Sequence, residues 1–465
     1  MEVIDLYREI MKKLNIWKNK PDNDRSPLII QGARQVGKTY VMQKFGEENF
    51  ENYVYINFED SQDLYDIFDE TLDPKKIIDY LSIYSSKPII PGKTLIIFDE
   101  IQSVPRALTS LKYFNEKAPE YHICCAGSLL GIHLKPGTSF PVGKVEFLDL
   151  HPMSFKEFII ANKFERYIDY LEGLSIDELN NIPNIDDLKY LLRIYFYVGG
   201  MPKPVQVWID TKDFSKVKEE HNKIVQSYLN DFSKYSDYAT CLKIRQVWNS
   251  IPEQLSKENS SKFVFGLVKK GSRAKDYELA IQWLVDAALL TKVNAVQTAK
   301  LPLSAYAEMD IFKLYCLDIG LLSYLSDIDS RLILSSDKLF NEYNGALTEQ
   351  FIMQELRELG TTFYWTEKNY EVDFIIQQYN KIIPIEVKAG TVVKTKSLDY
   401  YNKKYSPELR IKSSLRGFDY NSGVLNLPLY MFWLLPSLLK SLIEIDDFED
   451  EKLKQFIKEM NIKFT

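Results

Sequence analysis

The sequence predicts an α/β protein whose first part is a parallel sheet covered on both faces by helices. Three observations lead there. A glycine-rich loop lies between an apolar strand and a helix near the start, Pro27-Leu28-Ile29-Ile30 before it and Tyr40 to Phe45 after it. Short apolar runs then alternate with helical stretches up to about residue 150. One of those runs, Thr94-Leu95-Ile96-Ile97-Phe98, ends in two acids, Asp99 and Glu100. Strand alternating with helix is the pattern of a parallel sheet with both faces covered. The strand candidates are Pro27–Ile30, Tyr53–Phe58, Leu95–Asp99, Tyr121–Ala126 and Lys144–Leu148.

The loop itself reads Gly32-Ala33-Arg34-Gln35-Val36-Gly37-Lys38-Thr39, followed by Tyr40. Its spacing is that of a phosphate-binding P-loop in the strand–loop–helix setting the motif requires. Two glycines let the backbone wrap an anion with its N–H groups inward, and the helix N-terminus adds partial positive charge. Lys38 is placed to reach the β- and γ-phosphates of ATP, and Thr39 to hold Mg²⁺. The acid pair fits the same chemistry. Asp99, at the C-terminal end of its strand, would bind Mg²⁺, and Glu100 would polarise the attacking water. Ser128, just after the next strand, is expected to sense the γ-phosphate. ATP and Mg²⁺ are therefore the expected cofactors.

Composition sets bounds. The chain has 465 residues, room for two to four domains, and a net charge of −7, so no global basic field advertises nucleic acid or an anionic membrane. Its four cysteines form no CxxC pair, and Cys124-Cys125 sit in a predicted buried strand. The chain reads as a cytoplasmic protein kept reduced. The acidic start Met1-Glu2-Val3-Ile4-Asp5 does not resemble a signal peptide, and no apolar run is long enough to span a bilayer. Four histidines without metal-site spacing argue against a zinc enzyme.

Residues 1–20 read as an amphipathic helix, and 155 to about 235 as helices with a turn at Gly199-Gly200-Met201-Pro202. Leu242 to Leu255 and Arg273 to Leu290 keep helical spacing, and strands follow. That order suggests a winged helix, with Lys269, Lys270, Arg273 and Lys275 as a basic cluster that could contact DNA. Near the C-terminus, Gly345 to Leu359 reads as a helix, and Thr362–Thr366, Val372–Ile376 and Ile382–Val387 as strands. The last two form a hairpin. Asp373 near the start of one strand can meet Glu386 and Lys388 near the end of the other. Two acids and a lysine grouped this way can bind Mg²⁺ and activate water for phosphodiester hydrolysis, with Glu349 on the preceding helix completing the metal shell.

These motifs, together with Leu150-His151-Pro152-Met153-Ser154-Phe155-Lys156-Glu157-Phe158, Gly199–Pro202, Ala287–Leu290 and Lys313–Leu322, resemble the prokaryotic AAA-type ATPases that carry a C-terminal DUF4143 domain. The resemblance spans nearly the whole chain. It implies an ATPase core over 1–150, a helical lid over 151–237, a winged-helix-like domain over 238–335 and a restriction-endonuclease-like α/β domain over 336–465. It matches nuclease residues at Glu349, Asp373, Glu386 and Lys388. The resemblance implies arginine at the position of Lys144, a departure from the family; Arg106 and Arg273 are other candidates for a residue facing the γ-phosphate. The function expected is ATP hydrolysis coupled to a nuclease-like domain acting on DNA. The alternative is a nucleotide-dependent switch that binds a protein or DNA partner and cuts nothing. A homo-oligomer formed on ATP is a third, weaker expectation; no membrane partner is expected.

Overall fold

The computed structural model describes residues 6–60, 64–127, 140–183, 185–234, 237–256, 262–334, 344–390 and 395–443. The chain divides into two compact units. Unit 1 comprises 1–165, 191–292 and 314–336; unit 2 comprises 166–190, 293–313 and 337–465.

Unit 1 is built on a five-stranded sheet: β1 (Leu28–Gln31), β2 (Asn52–Asn57), β3 (Thr94–Asp99), β4 (His122–Ala126) and β5 (Glu146–Asp149), in the order β2-β3-β4-β1-β5. Every pairing is parallel. All five expected strands are present with ends shifted by one or two residues. β3 and β4 are buried along their whole length, as strands covered on both faces must be. Ile96, Phe98, Ile123 and Cys125 pack with Phe58, Phe68, Leu81, Leu108 and Phe114 from the covering segments. Both adjacent cysteines are fully buried, and burial pushes their thiols up, so they act as small core residues.

β4 lies between β1 and β3. The chain leaving β4 therefore emerges between the loop that follows β1 and the acids that end β3. Ser128 lies outside the described residues. The rest of unit 1 is mainly helical, including Phe155–Ala161, Pro202–Thr211, Phe214–Lys234, Tyr238–Ser256 and Ala274–Asp286. Gly199-Gly200 marks a close approach: a Cβ at Gly200 would lie 2.0 Å from the Met153 carbonyl, and its amide donates to buried Asp318 at 2.7 Å.

The second sheet has eight strands: β6 (Leu290–Val296), β7 (Ala307–Cys316), β8 (Thr362–Glu367), β9 (Tyr370–Gln378), β10 (Lys381–Val387), β11 (Arg410–Ser414), β12 (Asp419–Asn421) and β13 (Val424–Pro428). Their order is β12-β13-β11-β10-β9-β8-β6-β7. The expected hairpin is β9–β10, antiparallel with Ile376 opposite Ile383. The helix–helix–helix–strand order expected for a winged helix is present over 238–296. Its first strand is no free wing, because Asn294, Ala295 and Val296 pair in parallel with Phe363, Tyr364 and Trp365. In unit 2, Val296, Trp365, Val372 and Ile375 form a core with Leu398 and Tyr401 of the helix Lys396–Tyr405. The helix Asn344–Leu356 packs on β10.

Candidate functional site

The loop Gly32–Thr39 leaves β1 and enters the helix Lys38–Asn49. Gly32 has φ +146°, and a Cβ there would meet the Leu150 carbonyl oxygen at 2.2 Å; Gly37 has φ +96°. Only glycine takes both positions without strain. Gln35 is also left-handed, at φ 66°.

The loop's carbonyls are tied down one by one. Lys38 Nζ donates to the Gly32 and Ala33 oxygens at 2.8 and 2.9 Å. The Tyr228 hydroxyl donates to the Arg34 oxygen at 2.9 Å. Arg8 Nη1 donates to the Val36 oxygen at 2.9 Å. A trans peptide points its N–H opposite its C=O. Each restrained carbonyl therefore aims the next amide the other way, which is how a nest for an anion is made.

Lys38 is 7% exposed, and burial pulls its ammonium down to about 8 from its ordinary 10.5, with Asp99 and Glu100 opposing that pull. Both of its hydrogen-bond partners are neutral carbonyls. The Arg34 side chain is turned away to Asp231 at 2.6 Å, so Arg34 contributes its backbone to the loop while its guanidinium serves an ion pair. Thr39 Oγ1 donates to Asp99 Oδ2 at 2.6 Å, and the Tyr55 hydroxyl donates to the same oxygen at 2.9 Å. Two hard oxygen donors thus converge beside the loop, a set that fits Mg²⁺. Glu100 follows in a left-handed conformation, φ 51°, with its amide on Asp99 Oδ1 at 3.0 Å. Beside the loop lies a cavity of about 250 Å³ lined by Leu6, Tyr7, Arg8, Met11, Tyr40 and Val41, with Lys44 and Glu48 completing it.

Two of the candidates for a γ-phosphate contact are engaged elsewhere. Lys144 pairs with Glu116 at 3.2 Å, and Arg106 donates to the Phe68 carbonyl at 2.6 Å and pairs with Asp69 at 3.5 Å. The Arg273 side chain lies on the surface at the N-terminus of the helix Ala274–Asp286.

In unit 2 the structure brings Asp373, Glu386 and Lys388 together as expected. Lys388 Nζ lies 2.8 Å from Glu386 Oε1 and 3.9 Å from Asp373 Oδ2, and the Val387 amide donates to Asp373 Oδ2 at 2.7 Å. Asp373 stands where β9 and β8 slip register. Val372 pairs with Trp365 and Ile375 with Phe363, so three steps on β9 match two on β8. Such a bulge re-aims a side chain.

Two residues that sequence reasoning did not single out join the cluster. Lys313 Nζ pairs with Glu371 at 2.6 Å and with Glu349 at 3.4 Å, and lies 5.3 Å from the Tyr364 ring. A lysine inside the apolar run Ile311–Cys316 was a usable signal, because a charge in a buried strand needs a partner. Burial and like charges push Asp373 far up, and burial raises Glu386 and Glu371 as well. Burial pulls Lys388 down, yet Asp373 and Glu386 hold it above its ordinary value. Glu386 Oε2 is buried without a hydrogen-bond partner. That orphaned oxygen fits a divalent cation, although among the described residues no three acidic, His or Cys side chains are already drawn together as a metal set.

Residues 24–159 match the profile of an AAA domain, 189–332 that of a domain of unknown function, DUF8612, and 344–432 that of the domain of unknown function DUF4143. The uncharacterized protein MJ1544 of Methanocaldococcus jannaschii is 26% identical over 421 residues, covering 86% of this chain and 84% of its own. The Walker-type ATPase PABY2304 of Pyrococcus abyssi superposes with TM-score 0.43 at 14% identity, over 69% of this chain and 96% of that one. AMPPCP-bound DnaA from Aquifex aeolicus gives TM-score 0.27 at 15% identity, over 60% and 86%. The chain thus carries an AAA-type P-loop ATPase domain and a DUF4143 domain. Among the described residues no helix is long and apolar enough to cross a membrane.

Proposed function

We propose that the chain binds ATP at Gly32–Tyr40 and hydrolyses it with Mg²⁺, and that the acid–lysine cluster of unit 2 is a metal-dependent phosphodiesterase site acting on DNA. The observation that carries the first part is the state of Lys38. It is a buried ammonium held by two neutral carbonyls of the glycine-rich loop. A polyphosphate supplies the counter-charge it lacks. The cavity beside Tyr40 offers a slot for the base. Thr39 and Asp99 would hold Mg²⁺, which neutralises phosphate charge when bound. Glu100 stands next to Asp99 to orient water, and Ser128 is assigned the γ-phosphate contact.

In unit 2, Asp373, Glu386 and Glu349 would hold the ion, which would supply charge stabilisation for a phosphodiester when bound. Lys388 would neutralise the developing oxyanion from its place beside Glu386. The exposed cluster Lys269, Lys270, Arg273 and Lys275 has the charge to meet a phosphate backbone.

A second reading has a specific observation in its favour. Lys388 and Lys313 already pair with the carboxylates, as they would in a scaffold that cuts nothing and leaves the chain an ATP-driven switch. The experiment is a cleavage assay with plasmid, linear and branched DNA and Mg²⁺, wild type against Lys388→Ala. Cleavage lost in the variant supports the phosphodiesterase. No cleavage of any substrate by wild type leaves the switch.

A further inference from the structure

The carbonyl restraints on the loop are not equivalent. Two of them come from Lys38 itself. An ammonium has three N–H donors, and a phosphate that draws on them competes with the Gly32 and Ala33 oxygens, so those restraints loosen when the cradle is used. The restraint from Arg8 has no reason to go. Arg8 is 4% exposed, and its guanidinium makes three contacts at once: Nη1 to the Val36 oxygen at 2.9 Å, Nη2 to the His151 oxygen at 2.6 Å, and Nε to Glu157 Oε1 at 3.3 Å. Glu157 is itself fixed, accepting from the Glu9 and Ser154 amides at 2.6 and 2.9 Å. Nη1 would also lie 3.5 Å from a Cβ placed at Gly37, so the guanidinium packs against the loop's last glycine.

We propose that Arg8 is the positioning residue of the phosphate cradle: by holding the Val36 carbonyl it aims the Gly37 amide at the bound polyphosphate. This rests on the ATP reading of the same loop. The planar peptide makes the mechanism direct, because fixing the Val36 oxygen fixes the Gly37 N–H in the opposite sense. It also explains an arginine rather than a lysine. A planar fork can serve two carbonyls and a carboxylate in fixed directions, whereas an ammonium is a point charge on a flexible stem.

The test uses the full chain and three nucleotide probes, ATP, ADP and adenosine, with affinities from calorimetry or competition. Arg8→Lys keeps a positive charge for Glu157, so it is expected to stay folded and melt near wild type. Its affinity for ATP and ADP should fall roughly tenfold or more, the size of one charge-assisted hydrogen bond. Adenosine, which has no phosphate and meets Arg8 only as one wall of the cavity, should lose clearly less affinity than ATP and ADP. Asp73→Ala is the stability control. It removes the side-chain cap of the helix Pro74–Ser85, lowers the melting temperature by a few degrees, and should leave ATP affinity within about twofold. Should Arg8→Ala fail to fold, Arg8→Lys still carries the test. ATP bound equally well by Arg8→Lys would overturn the proposal. So would equal losses for ATP and adenosine, or an affinity loss in Asp73→Ala as large as that in Arg8→Lys. Wild type that binds no ATP at all would remove the nucleotide reading itself, a separate result.

Discussion

Lys38 in unit 1 and Lys388 in unit 2 are both largely buried lysines, and their surroundings are opposite. Lys38 rests on neutral carbonyls, and burial drags its ammonium down to about 8. Lys388 rests against carboxylates, which hold it above its ordinary value despite burial. Lys38 lacks an anionic hydrogen-bond partner, since Asp99 and Glu100 act on it only through space. The second site has Glu349, Glu371, Asp373 and Glu386 against Lys313 and Lys388, and is short of positive charge. A buried charge without its partner is costly, so each site states by its imbalance what it should take up. One calls for an anion, the other for a cation.

The largest effect should come from Lys38→Ala. Losing an ammonium that makes two charge-assisted bonds to phosphate should weaken ATP about a thousandfold, read by calorimetry. Unchanged affinity would end the comparison on its anionic side. Next is Glu100→Gln, which should leave ATP binding within about twofold and slow hydrolysis about a hundredfold, the scale of a lost general base. Equal loss of binding and turnover would instead give Glu100 a structural part.

Asp373→Asn sharpens the other side. Burial and like charges already push Asp373 toward its neutral form, so the metal-free variant should melt at or slightly above wild type. The same variant should lose any Mg²⁺-dependent rise in melting temperature. A variant less stable than wild type, with the Mg²⁺ response intact, would mean that the cluster is already balanced.

The smallest effect is a proton. Lys38 falls from its ordinary 10.5 to about 8 in the folded chain. Between those values the unfolded chain holds more protons, so Lys38 makes nucleotide-free stability rise from pH 8 to 10.5. Bound phosphate favours the charged form and reverses that shift. ATP binding should therefore take up a fraction of a proton at pH 8, and Lys38's share of the affinity should decline as pH rises beyond it. Calorimetry in buffers of different ionisation enthalpy measures the uptake, and zero uptake at pH 8 to 9 would put Lys38 outside the site.

How much of this was legible differs between the two sites for a physical reason. The P-loop and the Asp99-Glu100 pair announce themselves because the chemistry lies in consecutive residues and the sheet has a local period. Asp373, Glu386 and Lys388 were legible because a hairpin brings near neighbours in sequence together. Arg8 was not, since its partners Val36, His151 and Glu157 lie on other segments and leave no periodic trace. Nor was the Arg34–Asp231 pair, which joins the loop to the helix Phe214–Lys234. The bulge at Asp373 depends on how β9 meets β8, which no single strand reveals. A strand was expected over Leu289–Val293 and runs Leu290–Val296, but its pairing with Thr362–Glu367 was not expected, because pairing partners are a property of the sheet.

The most direct test is a crystal structure of the full chain with Mg²⁺ and a non-hydrolysable ATP analogue. The account requires Lys38 Nζ to contact the terminal phosphates, with the loop amides on the anion. A nucleotide-soaked structure with Nζ still on those two oxygens and no phosphate in the loop would contradict it.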